Sequence, residues 1–314
     1  MNASSENEFY IVAFSLSSVK QHWLFLGLLT IYLMALLGNL LIIILVCLTP
    51  KLHTPMYFFL CNLAIVDLIS TSTCICKLLA ITMTQDHGIT FLWCMIQMFF
   101  FILCANGEIF ILTSMAYDRY VAICKPLQYF SIMRKKVCII MAAISWIAAT
   151  SNALAHTVLT SILQFCKSHD INNFFCDLYS VIGLSSTDIT SRKVFTFCEV
   201  VLITILQFLL TIVSYIFIFS TVVRISSSAG QMKALCSCTS HLITVILFYG
   251  PLMFLYMKPE ASKELDMLLS MLYTVAVPTL NPLVYSLRNK EVREAFLTFI
   301  KEIKLNVYEF LIFG

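Results

Sequence analysis

Charge is scarce in this sequence. Lys, Arg, Asp and Glu make up only 12% of the 314 residues, 60% are hydrophobic, and the mean hydropathy is +0.91. A soluble domain is about a quarter charged, so the chain has half the charge that keeps a surface wet, and lipid is its expected solvent. The net charge is only +3 and the basic residues are scattered, which argues against a nucleic-acid partner. No repeat, low-complexity tract or Gly/Ser linker divides the chain, so a single membrane domain is expected. His-Glu-x-x-His, Gly-x-Ser-x-Gly and a phosphate loop are all missing, which argues against an enzyme. Residues 1–22 are polar and lack the basic start and short apolar core of a cleavable signal. The first span then serves as the uncleaved insertion signal.

Apolar length is abundant. About 20 apolar residues cross a bilayer as a helix, and seven stretches qualify, at 23–48, 56–80, 91–124, 137–160, 194–223, 234–257 and 266–286. The loops after odd-numbered spans, together with the tail, carry 12 basic residues, against 6 on the opposite side. The positive-inside rule places the N-terminus outside and the C-terminus in the cytoplasm. Asn2 opens a glycosylation sequon, Asn2-Ala3-Ser4, which has meaning only with that orientation.

Within the apolar runs, three acids stand out: Asp67 in span 2, Glu108 in span 3 and Glu199 in span 5. An ionised side chain at the bilayer centre costs about 2.5–3.5 kcal/mol on insertion scales. Asp67 and Glu108 are expected to share a polar network with Asn39 and Asn281, either as hydrogen-bonded acids or around a cation. Glu199 lies nearer its span's outer end, where it can snorkel or touch a ligand. Counting back from Arg119 at 3.6 residues per turn, Met115, Leu112, Glu108, Ala105 and Phe101 fall on one face. Arg119 therefore faces the bundle interior as a cytoplasmic latch restrained by Asp118; a solvated helix end is the alternative. Pro251, Pro278 and Pro282 interrupt the later spans. His156 and His241 stand alone and read as packing residues.

The motifs resemble those of rhodopsin-like G-protein-coupled receptors, and within them the odorant receptors. The general marks are Gly38-Asn39, Asp67, Asp118-Arg119-Tyr120, Trp146 and "NPLVY" from Asn281 to Tyr285. The more specific ones are "LHTPMYFFL", "MAYDRYVAICKPLQY", "FFCDL", "SY" at Ser214-Tyr215, "KALCSCTSHL", "FYG" and "PTLNPLVYSLRNKEV", in the family's order from Gly38 to Val292. The resemblance implies an all-α membrane protein: a seven-transmembrane helix bundle over 23–286, an extracellular segment 1–22, and a short cytoplasmic amphipathic helix with a tail over 287–314. It implies a plasma-membrane receptor that binds a small-molecule odorant and activates a stimulatory heterotrimeric G protein, raising cyclic AMP. Asp118, Arg119, Tyr120, Tyr215, Asn281, Pro282 and Tyr285 would form the activation switch. No cofactor is required, and Asp67 with Glu108 is a candidate sodium site.

The family's ligand pocket, carried over by position, comprises Phe101, Ile102, Ala105 and Asn106 on span 3, and Glu199 and Ile203 on span 5. It continues with Tyr249, Leu252, Met253 and Tyr256 on span 6, and Thr274 on span 7. Apolar walls with a few polar points suit a small, weakly polar molecule. Amine receptors carry an aspartate where this chain has Phe101, which argues against an amine ligand. A transporter or channel would show inverted repeats or paired broken helices, and neither is seen. The resemblance pairs Cys94 with Cys176. The family's third loop cysteine is replaced by Ser186, which leaves Cys166 a free thiol or the partner of another chain or of Cys198. Milder departures are Thr279, and Leu235, Cys236 and Ser237.

Overall fold

The structure is a computed structural model that describes residues 8–12, 18–165, 169–186, 189–257, 263–288 and 291–301. Its long helices are α1 (Ser18–Leu48), α2 (Pro55–Thr84), α3 (Phe91–Cys124), α5 (Lys135–Ser161), α7 (Thr190–Val223) and α8 (Ser228–Met257). The short α4 (Tyr129–Ile132) and α6 (Leu178–Gly183) lie in connections. The last span is composite: α9 (Lys263–Met271), a π segment (Leu272–Ala276) and α10 (Val277–Arg288). Residues 291–301 form a further helix, α11.

Among the described residues, six helices are long and apolar enough to cross a membrane, and α8, bent by 40° between Cys236 and Cys238, makes the seventh. The protein is a seven-helix membrane bundle. Helices suit lipid because every backbone donor is satisfied within the segment. The helices outrun the apolar windows by up to six residues, since polar first and last turns stay helical beyond the hydrocarbon. α3 is the axis, packed on α2, α5, α7 and α8. α7 lies at the lipid side, with Leu202, Phe219 and Phe195 exposed.

Prolines are accommodated by specific contacts. Pro282 has no N–H, so the carbonyl of Pro278, four residues back, has no helical donor. Asn39 Nδ2 on α1 donates to that carbonyl at 3.0 Å and to Ala35 O at 2.9 Å. The approach requires Gly38: a Cβ there would lie 2.9 Å from Pro282 Cβ. Asn39 is thus spent on backbone and is not hydrogen-bonded to Asp67 or Glu108, which corrects the expected grouping.

Among the described residues, the fold is all-α apart from a small sheet. Strands β1 (Glu8–Ile11), β2 (Gly88–Thr90) and β3 (Asp170–Ile171) lie in the order β2-β1-β3. β1 is antiparallel to β2, with Phe9 opposite Ile89, and parallel to β3, with Tyr10 opposite Asp170. Phe9 and Ile11 point inward while Tyr10 is exposed, the alternation of a half-buried strand. Lys77 near the end of α2 reaches out of the apolar zone to the carbonyls of Gly88 and Asp86, a snorkelling cation. The opposite end of the bundle carries Arg119, α4 and α11, where Val292 and Ala295 join the core around Tyr57 and Met133. The described N- and C-terminal elements therefore sit at opposite ends.

Candidate functional site

A cavity of about 880 Å³ opens inside the sheet end. α3 contributes Phe101, Ile102, Ala105, Asn106 and Glu108, α7 contributes Ile203, and α8 contributes Leu252. These include six of the residues expected from sequence. The other expected residues sit differently. Tyr249 is buried beside the cavity, its ring 5.0 Å from Phe208 and 5.2 Å from Phe248, and Met253 packs in the same cluster. Thr274 is buried, with its hydroxyl on Ser270 O at 2.6 Å. The side chain of Tyr256 lies outside what is described, as do Asn2 and Cys166.

Glu199 does not snorkel away. It turns toward α5, where Asn152 Nδ2 donates to Oε1 at 2.5 Å and His156 Nε2 lies 3.2 Å from Oε2. Asn152 and His156 line the cavity and were not foreseen. Their i, i+4 spacing in a span with no other amide or charged side chain was the available signal, since it puts both on one helix face.

The connection between α5 and α7 forms the roof. Cys94 at the start of α3 is bridged to Cys176, Cα–Cα 5.5 Å, as the resemblance implied. Gln97, one turn on, accepts from Cys176 N at 2.9 Å and donates to Thr73 O at 2.8 Å. Phe175 packs against Phe101 with the rings tilted by 58° and centroids 4.6 Å apart. Asp177 caps α6 by accepting from Tyr179 N and Ser180 N. Tyr179 lines the cavity, and its hydroxyl is buried without a partner among the described residues. Burial and the charge of Asp177 push its phenol up to about 12, so it stays protonated. Where the family has its third loop cysteine, Ser186 donates from N and Oγ to Gln164 O, at 2.9 and 3.0 Å. Cys198 is a free, exposed thiol.

The floor is polar. Glu108 belongs to a cluster with Asp67 and Asn281, in which Asn281 Nδ2 donates to Asp67 Oδ2 at 2.9 Å. Asp67 Oδ1, Glu108 Oε1 and Asn281 Oδ1 are buried without hydrogen-bond partners among the described residues. Among the described residues, no group of three or more His, Cys, Asp and Glu side chains is placed to hold a metal.

At the far end of α3, Asp118 is fully buried and Arg119 is 14% exposed at the side chain. Arg119 Nη2 and Nε donate to Asp118 Oδ2 at 2.7 and 3.2 Å, and Tyr129 Oη donates to Asp118 Oδ1 at 2.8 Å. Burial, then the Asp118 charge, holds the Tyr129 phenol above its ordinary value, so it remains a donor. Tyr120 meets Phe217 of α7 edge to face, with centroids 5.9 Å apart. Tyr215 is tied to α8: its hydroxyl is 2.7 Å from His241 Nδ1, and His241 Nε2 is 3.0 Å from Leu112 O. A carbonyl only accepts, so Nε2 carries the proton and Tyr215 donates to Nδ1. His241 thus joins α3, α7 and α8, a bridge its isolation in sequence concealed. Tyr285 is buried in the core near this bridge.

Comparison with known proteins adds to this geometry. The family model described as "Olfactory receptor" matches residues 28–303. Olfactory receptor 1J4 of Homo sapiens is 42% identical over 94% of this chain and 95% of its own length. Olfactory receptor 1G1 of Gorilla gorilla gorilla is 40% identical over 96% and 98%, and Olfactory receptor 1496 of Rattus norvegicus 39% over 98% and 99%. The expected motifs, the seven-helix bundle and these matches over nearly the whole length agree: the chain belongs to the olfactory receptor family of G-protein-coupled receptors.

Proposed function

We propose that this odorant receptor admits a small, mostly apolar ligand to the cavity from the extracellular side and activates a stimulatory heterotrimeric G protein, raising cyclic AMP. The observation that carries this reading is the build of α3. One helix supplies the cavity wall at Phe101 and Ala105, its floor at Glu108, and the Asp118–Arg119 pair at the other end. A ligand that binds one arrangement of the bundle better than another shifts the population between them. In the resting arrangement Arg119 is held by Asp118, itself held by Tyr129, and Tyr215 is held by His241. Release of these ties as α8 moves outward opens a groove for the C-terminal helix of the G-protein α subunit, a helix-in-groove contact. The sheet end faces outward and the Arg119 end the cytoplasm, in line with the excess of basic residues there. The test is a volatile-ligand panel with a cyclic-AMP readout in cells supplied with the olfactory stimulatory G protein. A ligand-dependent rise is expected. Ion flux without G protein would contradict it.

A second reading concerns sodium. The unpartnered buried oxygens of Asp67, Glu108 and Asn281 fit a small hard cation, which oxygen donors suit. When bound, the ion would neutralise the acids of the floor and favour the resting state. Asp67→Asn and Glu108→Gln are expected to remove any sodium dependence of agonist potency. A sodium response unchanged in both variants would leave only the hydrogen bonds.

A further inference from the structure

The cavity wall between α3, α5 and α7 carries a hydrogen-bond chain with a fixed direction. Its far end is Glu199, whose two oxygens face Asn152 and His156. A carboxylate here accepts, so Asn152 must turn its amide nitrogen to it. That leaves Asn152 Oδ1 facing α3, where it accepts from Asn106 Nδ2 at 3.3 Å. The same Asn106 nitrogen donates to Ile102 O at 2.9 Å, one turn earlier on α3. Both donors of Asn106 are therefore committed. Its Oδ1 accepts from no described residue, and the side chain lines the cavity.

We infer that Glu199 is a positioning residue that fixes this chain so that the Asn106 wall offers a ligand an acceptor and no donor. The inference rests on the cavity being the ligand site. It assigns a ligand class: an apolar body bearing one hydroxyl or N–H group, selected over aprotic molecules of the same shape. A carbonyl or ether oxygen set against Asn106 Oδ1 would leave two acceptors face to face in a dehydrated site, and the unmade bond costs more there than in water. Tyr179, whose hydroxyl can give or take, does not reverse the preference. Glu199→Gln removes the polarity at its source, because a carboxamide can present either its oxygen or its nitrogen to Asn152. Asn152 can then turn over and withdraw its acceptor from Asn106, which leaves the Ile102 carbonyl alone to hold the Asn106 amide against reorienting toward a ligand.

The test is a set of matched probes: hexan-1-ol to nonan-1-ol, cyclohexanol and phenol, each beside its methyl ether and, where one exists, its aldehyde or ketone. Binding is read as ligand-induced thermal stabilisation of the purified receptor in lipid nanodiscs, and signalling as cyclic AMP in cells. The wild type is expected to favour the hydroxyl member of each responsive set by about tenfold or more. In Glu199→Gln that ratio should collapse to within about threefold while the alcohols still bind. Asn106→Leu should lose the preference too. An unchanged ratio in a surface-expressed Glu199→Gln receptor overturns the positioning role. A wild type that binds no alcohol, or binds ethers and ketones as well, overturns the ligand class. Alcohol-selective binding without cyclic AMP leaves the inference standing and refutes the coupling proposed above.

Discussion

Asp118, Arg119 and Tyr129 form a chain of three side chains in which each holds the next. Tyr129 donates to the Asp118 oxygen that Arg119 leaves free. Removing that donor weakens the restraint on Arg119 without touching the arginine itself. Tyr129→Phe is expected to raise ligand-free cyclic AMP about fivefold, the effect of about 1 kcal/mol on the resting state. A basal signal equal to the wild type at matched surface density would take Tyr129 out of the latch. At this scale the sequence was only partly readable. Adjacency made the Asp118–Arg119 pair legible, and the face of α3 made Glu108 legible. The ties of His241 and Glu199 were not, because each joins residues from different spans whose rotation only packing decides. Asn39 shows the converse. Its polarity suggested a place among the acids, but the carbonyl freed by Pro282 has the stronger claim on it.

Elements meet here through close approaches and loop ties more than through loop length. α1 and α10 touch at Gly38, where Pro282 occupies the space of a side chain. Gly38→Val is expected to destabilise the receptor by about 1–3 kcal/mol, the usual cost of overpacking. Asn39→Leu should cost about as much by leaving the Pro278 carbonyl unpaired. Thermal unfolding of the solubilised receptor measures both, and an unchanged midpoint for Gly38→Val would mean that α1 and α10 can part freely. The roof over the cavity depends on the bridge between Cys94 and Cys176. Cys94→Ser or Cys176→Ser should abolish surface delivery, while Cys166→Ser is tolerated and Cys166 takes a thiol label on intact cells without reduction. Equal damage from Cys166→Ser, with no labelling, would refute this assignment. The spans were legible because about 20 apolar residues leave few alternatives to a membrane helix. The sheet was not: β1 to β3 are two to four residues each and pair across long sequence separations. Nor was the π segment, which has no periodic signature of its own.

Over the whole molecule, the two larger buried clusters meet along α3. One lies under the sheet and the Cys176 loop, the other between the middle of the bundle and α11. The cavity borders both, and its polar floor is shared with the Asp67 and Asn281 cluster. A ligand that changes how α7 and α8 pack on α3 therefore acts on the same helix that holds Arg119 at its far end. The family could be recognised from motifs alone, whereas the α5 contribution to the cavity needed the fold. The central claim is that occupation of the cavity is read out through Arg119. The direct measurement is ligand-evoked cyclic AMP in cells carrying the olfactory stimulatory G protein, with wild type and Arg119→Ala compared at equal surface density. The wild type should give a saturable, concentration-dependent rise, and Arg119→Ala a flat line with ligand binding retained. A surface-expressed Arg119→Ala that signals as the wild type does would contradict the account.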